Sequence, residues 1–507
     1  MLITIPVIAI IVALVIVIPL IISPSSDDIW KDSAVWFEGD GKIYISFNNY
    51  DTVTIDGYLD DAQRSLDGSK VTVLTRGDDY KGGALWFVAG SNSTWIADDV
   101  MCFQFSDSGN GIAYLTANNT LSDITDLYLY DTTTKKQTLI AEKNLYNKND
   151  NELGVCISPN GKTVGYVSDY DPISEEYTGY ISVDGRGKEK LGLNISAVAV
   201  SDDGKYVYYS KLKNNTYSKS FHVRSGNNDN TLISDYESDL ELLFNKDYSQ
   251  VIFNQGGASY LSRDGREREK ICSSDINDIV TPIDISVKDS YNTYNTIQIY
   301  IFGISNFTNQ VVATDRGLAY ISNNLEVNRI LGSSEIIYYT WDVWISNNGK
   351  SLLYLDNSGR ISAIDPTNPN AKRREVARNV EAFVAADDLK TVYYISDGEL
   401  WCLKGSGELT NISVDVSPQH LLISQDGNYV FFLVDYDRKQ GGDLYFSKNG
   451  EARTKVLGGY NVIELLTAPT SFFYYTNNKE VYRSGGDENF SLFAENVYDF
   501  YGEILLT

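Results

Sequence analysis

A short turn-and-strand pattern recurs along this chain and constrains its fold more than any other feature. Each copy begins with Ser or a replacement, continues through turn-forming residues that usually end in Gly, and leads into an apolar, aromatic run. Most copies start about 40 to 45 residues apart, which is the period of a four-stranded β-propeller blade. The copies begin at Ser65, Ser106, Ser158, Ser201, Asn245, Ser346, Ala386 and Ser424.

Each part of the pattern has a physical reason. Asp-Gly and Asn-Gly pairs tolerate the positive φ that a tight hairpin needs. The runs that follow, such as 206–209 and 429–433, are apolar on both faces, as expected for strands that have a neighbour on each side. We therefore predict an all-β fold, a β-propeller of about 8 to 11 four-stranded blade units. One large ring and two consecutive propellers both fit this count.

The pattern resembles the TolB-like or WD40-like (PD40) β-propeller repeats of bacterial envelope and surface proteins. The resemblance extends from about residue 34 to the end of the chain, and it implies a sensor ectodomain or a component of an envelope complex. It is weaker at Asn245 and Ala386 and is nearly lost around residues 290–315. The units that carry it best begin at Ser158, Ser201, Ser346 and Ser424.

The irregular stretch near residues 286–310 suggests a division of the blades. We predict a first half over residues 34–285 and a second half over residues 286–507. Strand-like sequence occurs at both ends of the repeat region, at Val35–Phe37 and Val497–Leu506. The two ends could therefore complete a single blade together.

The N-terminal segment Leu2–Ile22 is almost entirely aliphatic and uncharged. As a helix it measures roughly 32 Å, close to the hydrocarbon thickness of a bilayer. We predict a transmembrane anchor over residues 1–24, a linker over residues 25–33, and a single-pass protein with its ectodomain outside the cytoplasm. A cleaved signal peptide is the alternative, although such a peptide has a shorter apolar core after a basic segment.

The chain is strongly acidic, with 42 Lys and Arg against 68 Asp and Glu and a net charge of −26. Because phosphate backbones are bound by clustered cations, this composition argues against a nucleic-acid partner. Solubility is the simplest reason for the acidity, and binding of cations or basic partners is the alternative. The four cysteines lack metal-ligand spacing and are expected to be buried small apolar residues.

No motif in the chain predicts a catalytic, cofactor or metal site. His222 and His420, the only histidines, are far apart and are expected to be structural. Carboxylate pairs such as Asp202-Asp203 fall in the repeated turns, where turn preference explains them. Asn-x-Ser/Thr sequons, which matter only in a glycosylating host, begin at Asn92, Asn118, Asn194, Asn214, Asn306, Asn411 and Asn489.

Three aromatic residues are the candidates for ligand contact. Tyr291 and Tyr294 lie in the irregular segment, and Trp341 lies in an aromatic group with Trp344, for which strand core is the favoured interpretation and stacking on a sugar ring is the alternative. We therefore expect a non-enzymatic binding or sensor module for an envelope or surface protein, a peptide or a glycan. A glycan-active enzyme that uses loop carboxylates and a structural surface-assembly protein are the alternatives.

Overall fold

The computed structural model describes most of the chain between residues 34 and 499, and all of these residues that are regular form strands or turns. None of them lies in a helix, so no described helix could cross a membrane. The predicted anchor over residues 1–24 lies outside the described residues. The described residues are 34–47, 52–77, 82–117, 124–145, 154–171, 176–213, 218–236, 240–280, 290–292, 297–301, 307–314, 317–322, 325–332, 343–346, 348–368, 370–405, 407–424, 426–468, 471–485 and 487–499.

The strands of the first part are β1 (Val35–Gly39), β2 (Lys42–Ser46), β3 (Val53–Asp56), β4 (Leu59–Arg64), β5 (Lys70–Thr75), β6 (Gly83–Ala89), β7 (Asn92–Phe105), β8 (Gly111–Ala117), β9 (Ile124–Asp131), β10 (Lys136–Leu145), β11 (Val155–Ile157), β12 (Thr163–Asp171), β13 (Glu176–Val183), β14 (Arg186–Leu193), β15 (Ile195–Val200), β16 (Tyr206–Leu212), β17 (Lys219–Ser225), β18 (Asn228–Tyr236), β19 (Leu240–Phe244), β20 (Gln250–Asn254), β21 (Ser259–Arg263) and β22 (Glu269–Cys272).

The remaining strands are β23 (Ile276–Val280), β24 (Ser290–Asn292), β25 (Ile297–Ile301), β26 (Gln310–Thr314), β27 (Gly317–Ile321), β28 (Val327–Arg329), β29 (Val343–Ile345), β30 (Leu352–Leu355), β31 (Ile361–Ile364), β32 (Arg374–Ala377), β33 (Val380–Ala385), β34 (Thr391–Ser396), β35 (Glu399–Lys404), β36 (Glu408–Ser413), β37 (Val416–Ile423), β38 (Tyr429–Asp437), β39 (Gly441–Lys448), β40 (Thr454–Lys455), β41 (Val462–Ala468), β42 (Ser471–Thr476), β43 (Val481–Ser484), β44 (Phe490–Ala494) and β45 (Val497–Asp499).

The strands group into four-stranded antiparallel units whose neighbours follow one another in the chain, which is the strand order of a propeller blade. In the described part of the chain there are eleven such units. Unit 1 contains β1, β2, β3 and β45. Unit 2 is β4–β7 and unit 3 is β7–β10, so the long strand β7 belongs to both. Units 4, 5 and 6 are β11–β14, β15–β18 and β19–β22, and unit 7 is β23 with β26–β28. Units 8 to 11 are β29–β32, β33–β36, β37–β40 and β41–β44.

Unit 1 is completed by both ends of the described chain. The last strand, β45, pairs with β1 through Glu38 opposite Asp499 and Gly39 opposite Val497. From unit 11, the Arg483 guanidinium donates a hydrogen bond of 2.8 Å to the Phe47 carbonyl at the end of β2. The chain therefore joins its first and last units by strand pairing and by side-chain contact.

Apolar clusters join each unit to the next along the described chain. Between units 5 and 6, for example, the rings of Tyr208 and Phe244 meet edge to face at 4.9 Å. Between units 11 and 1, Phe37 packs 5.7 Å from Phe473. Fully burying one such side chain contributes about 1.5–3 kcal/mol. The units thus form a closed, propeller-like circuit held by their apolar faces, as the doubly apolar strand pattern predicts.

The Ser of the repeated pattern bridges its own turn. The Ser201 hydroxyl donates to an Asp203 carboxylate oxygen at 2.9 Å and accepts the Tyr206 backbone N–H at 2.8 Å. Asn245 reproduces both bonds, because its amide nitrogen donates to Asp247 and its amide oxygen accepts from the Gln250 N–H. Equivalent bridges are formed at Ser65, Ser158, Ser346 and Ser424.

The turn glycines allow a positive φ and a close approach to the preceding unit. Gly161 has φ +79°, in the left-handed region, and a Cβ placed there would lie 2.9 Å from the Ser106 hydroxyl of the preceding unit. Gly427 is similar, with φ +72° and a Cβ position 2.6 Å from the Ala386 Cβ. Any larger residue would therefore strain the backbone and push adjacent turns apart.

The turns of units 2, 3, 4 and 6 contact one another. The Leu66 N–H donates to the Asp107 carbonyl at 2.7 Å, and the Ser108 N–H donates to the Pro159 carbonyl at 2.9 Å. The Tyr248 hydroxyl of unit 6 donates to the Asp107 carboxylate of unit 3 at 3.3 Å. Burial, reinforced by Asp107, raises the pKa of Tyr248 well above its usual value. The hydroxyl therefore stays protonated and keeps its role as donor.

The irregular segment of the sequence contributes two strands to unit 6. Its hairpin, β24 and β25, extends the sheet because β25 runs parallel to the inner strand β19, with Leu240 opposite Ile297. An apolar cluster that includes Leu243 and Val312 joins units 6 and 7 on either side of the segment. The proposed division at residues 285 and 286 stays a prediction.

Candidate functional site

The outer edge of unit 10 carries alternating aromatic and cationic side chains, which we call the aromatic–cation band (Tyr445, Arg453, Lys455, Leu457 and Tyr460). The Arg453 guanidinium lies 4.7 Å from the Tyr445 ring centroid. The Lys455 ammonium lies 4.1 Å from the Tyr460 ring and 5.7 Å from the Tyr445 ring. Leu457 is 96% exposed and Tyr460 is 54% exposed. The band therefore presents aromatic, cationic and aliphatic side chains to solvent.

Local structure explains how the band is formed. Pairing of β39 with β40 places Tyr445 directly opposite Lys455. The loop that follows is held because the Val456 N–H donates to the Leu444 carbonyl at 2.9 Å. Val456 is buried, whereas its neighbour Leu457 projects outward. The exposed leucine thus sits on a loop that the sheet positions.

Hydrogen bonds fix the two cations of the band, and one of these bonds is also an ion pair. Lys455 donates to an Asp443 carboxylate oxygen at 2.5 Å. Burial alone would lower the pKa of Lys455, but the bond to Asp443 and the electrostatic effects of Asp443, Tyr445 and Tyr460 together raise it. Arg453 donates to the Ser413 hydroxyl at 2.8 Å, beside the exposed Val414. Each cation lies over a tyrosine ring and restricts that side chain, so less side-chain conformational entropy is lost when a partner binds.

His222 lies between a serine and a carboxylate on the outer strands of unit 5. Its Nε2 is 2.8 Å from the Ser220 hydroxyl, and its Nδ1 is 3.7 Å from an Asp229 oxygen. The Tyr209 ring stacks on the imidazole with centroids 5.0 Å apart, and its hydroxyl donates to Asp229 at 2.5 Å. Burial lowers the pKa of His222, although Asp229 acts in the opposite direction.

A serine, histidine and acid can perform acyl transfer when a substrate reaches the serine. Ser220, however, is only 7% exposed, and Tyr209 covers one face of the His222 ring. Among the described residues, this hydroxyl is therefore largely covered. The described geometry uses these groups to tie neighbouring strands of one unit together.

His420 has a similar set of partners between units 10 and 11. Its Nδ1 is 3.0 Å from the Ser417 hydroxyl and its Nε2 is 3.8 Å from a Glu464 oxygen. Its ring lies 4.2 Å from the Tyr436 ring. Burial lowers the pKa of His420 to about 4, against a hydrogen bond with the Ile463 backbone. The imidazole is therefore neutral near pH 7 and connects the inner strands of the two units.

The aromatic candidates from the sequence are only partly described. Tyr291 lies on β24, where its backbone is paired opposite Gln298. Tyr294 and Trp341 lie outside the described residues. Trp344 packs in the cluster between units 8 and 9, 6.5 Å from Phe383, as the strand-core interpretation expects. The structure does not bring these candidates together among the described residues.

The sequence reasoning missed the aromatic–cation band. A usable signal was present in the segment 453–460, where two cations, a leucine and a tyrosine surround a Gly-Gly turn. Within the described part of the chain, no group of three or more His, Cys, Asp and Glu side chains is placed to hold a metal ion.

Comparisons with known proteins give similarity to solved structures only. No protein-family model matches the chain, and no curated protein matches it. A eukaryotic initiation factor is 10% identical with a TM-score of 0.37, with 83% of this chain and 94% of that chain covered. TolB from Acinetobacter baumannii is 15% identical with a TM-score of 0.28, with 48% and 63% covered.

A prolyl endopeptidase is also similar, at 12% identity and a TM-score of 0.33, with 77% of this chain and 54% of that chain covered. All three TM-scores are below 0.5. The propeller-like architecture of this chain therefore rests on its own strand order and on the pairing of its first and last strands.

Proposed function

We propose that this chain is a non-enzymatic binding module, anchored by residues 1–24 with its propeller outside the cytoplasm, and that it binds a partner protein through the aromatic–cation band. The exposure of Leu457 and Tyr460 beside two ordered cations is the observation that carries the proposal. The uncharged aliphatic segment 2–22 supports the anchor.

The chemistry of the band favours a protein or peptide over a glycan. Tyr and Arg are enriched among the residues that dominate binding energy at protein interfaces. An exposed leucine suits an apolar pocket on a partner, and burying it there contributes about 1.5–3 kcal/mol. Lys455 already covers one face of Tyr460, which reduces the ring surface left for stacking on a sugar.

Crosslinking of the intact protein in its native membrane tests the proposal. We expect the variant L457D/Y460A to lose the crosslinked partner that the wild type retains. The variant Y58A is the matched control, because Tyr58 is similarly exposed, at 56%, but lies in the first part of the chain. Equal partner recovery from the wild type and from L457D/Y460A would exclude the band as the contact surface.

A further inference from the structure

We propose that Asn92 is an N-glycosylation acceptor that the folded chain presents to the transferase. Four of the seven sequons lie in the described residues, beginning at Asn92, Asn194, Asn411 and Asn489. These four asparagines differ in their hydrogen bonds and in the burial of their sequons. Occurrence of the modification in the cell rests on the proposed placement outside the cytoplasm.

Asn92, Asn411 and Asn489 are all exposed, and Asn92 differs from the other asparagines in the hydrogen bonding of its side-chain amide. It opens β7 immediately after the two-residue turn Gly90-Ser91, and its backbone is paired opposite Ala89. Its side chain is exposed, and its amide makes no hydrogen bond within the described part of the chain. Thr94, which completes the sequon, is only partly buried. A transferase can therefore reach both groups on the edge of unit 2.

The sequon at Asn194 is closed by the fold. Asn194 has φ +54°, and its amide oxygen accepts the Tyr177 N–H at 3.3 Å. Its backbone N–H donates to the Tyr177 carbonyl at 2.7 Å. Ser196, the third residue of this sequon, is 1% exposed. Transfer here would require local unfolding of unit 4 from unit 5.

The side-chain amides of the two remaining asparagines donate hydrogen bonds to carboxylates. The Asn411 amide nitrogen donates to Glu399 at 2.9 Å, and Ser413 of the same sequon is buried beneath Arg453. The Asn489 amide nitrogen donates to Asp487 at 3.1 Å. We therefore rank Asn92 first, Asn489 second, Asn411 third and Asn194 last as acceptors in the folded chain.

The reaction joins the Asn92 amide nitrogen to the anomeric carbon of a sugar. The donor is a polyprenyl-diphosphate-linked oligosaccharide, and the enzyme is an oligosaccharyltransferase. A C–N bond forms as the bond between the anomeric carbon and the diphosphate oxygen breaks. The amide gives up one proton, and polyprenyl diphosphate leaves with the electron pair, so no oxidant or reductant is needed.

The test is transfer in vitro to the folded, full-length chain in detergent, with site occupancy measured by peptide mass spectrometry. We expect occupancy at Asn92 at least about tenfold above that at Asn194 and Asn411, because the buried Ser196 and Ser413 of those two sequons must first be exposed. Peptides that span each sequon should all accept sugar, which shows that the sequences themselves are competent. The variant T94A should abolish transfer at Asn92, and E399A should raise transfer at Asn411.

A sequon added in a C-terminal tag provides the internal control. If the tag is modified in the folded chain while Asn92 stays empty, or if Asn194 is filled as readily as Asn92, the inference is wrong. Acceptance in vitro with no glycan on the protein from its native membrane would count against the proposed placement instead.

Discussion

Replacing Ser201 by alanine tests the bridge that defines the repeated turn. The change removes the bond from its hydroxyl to Asp203 at 2.9 Å and leaves the Tyr206 N–H without its acceptor at 2.8 Å. Ser201 is 3% exposed, so water cannot readily replace the hydroxyl. An unsatisfied buried donor costs about 1–3 kcal/mol, and we expect S201A to lower the free energy of unfolding by that amount.

The reverse change is expected to stabilise unit 9. Ala386 lacks the hydroxyl, although the backbone of its turn is already formed by the bond from its N–H to the Thr391 carbonyl at 2.9 Å. Gly427 faces Ala386 in the way that Gly161 faces Ser106, so space for a serine is available. We expect A386S to raise the free energy of unfolding by about 0.5–1.5 kcal/mol.

Hydrogen exchange with mass spectrometry is the appropriate assay, because cooperativity across a long repeat array can break down. S201A should speed exchange in β15 and β16, and A386S should slow it in β33 and β34. The control is S91A, an exposed hairpin serine outside these turns. If S201A behaves like S91A, or if A386S speeds exchange, the account of the repeated turn is refuted.

Three further predictions follow from named contacts. R483A should lower the free energy of unfolding by about 1.5–3 kcal/mol, because it removes the bond to the Phe47 carbonyl. Limited proteolysis should then cut first near β1–β3. K135G should raise the denaturation midpoint, because the exposed Lys135 occupies the left-handed region at φ +56° and relief of that strain is worth about 1–2 kcal/mol. The pKa of His420 falls from 6.5 to about 4 on folding. The neutral imidazole therefore contributes about 3 kcal/mol to the free energy of unfolding above pH 6.5, and this contribution is lost as the pH falls toward 4. H420Q should make the free energy of unfolding depend less on pH on the acid side.

The pattern of turns and apolar strands was readable from the sequence because each turn is a local structure. Asn245, which departs from the repeated pattern, illustrates the limit of that reading. Its amide makes the same two bonds as a serine hydroxyl, so the unit keeps its turn although the motif is lost. Ala386 also keeps its turn, through backbone bonds alone.

The irregular segment could not be placed from the sequence. Its strand β25 pairs in parallel with β19, whose partner residues lie more than fifty positions away, as with Leu240 and Ile297. Such pairing depends on which sheet edge is free, and no local pattern encodes that. The three aromatic candidates were chosen for composition, and the accessible band on unit 10 emerged only from strand pairing and loop geometry.

By itself the sequence determined the all-β class, the four-stranded period and the repeated turn, because these depend on residues within a few positions of one another. The tertiary structure alone decided how many units are joined, how β45 completes the sheet of β1, and which side chains stay exposed. Those features arise from contacts between residues that are distant in the chain, such as Arg483 with Phe47. Their energies depend on packing that a repeat motif does not specify.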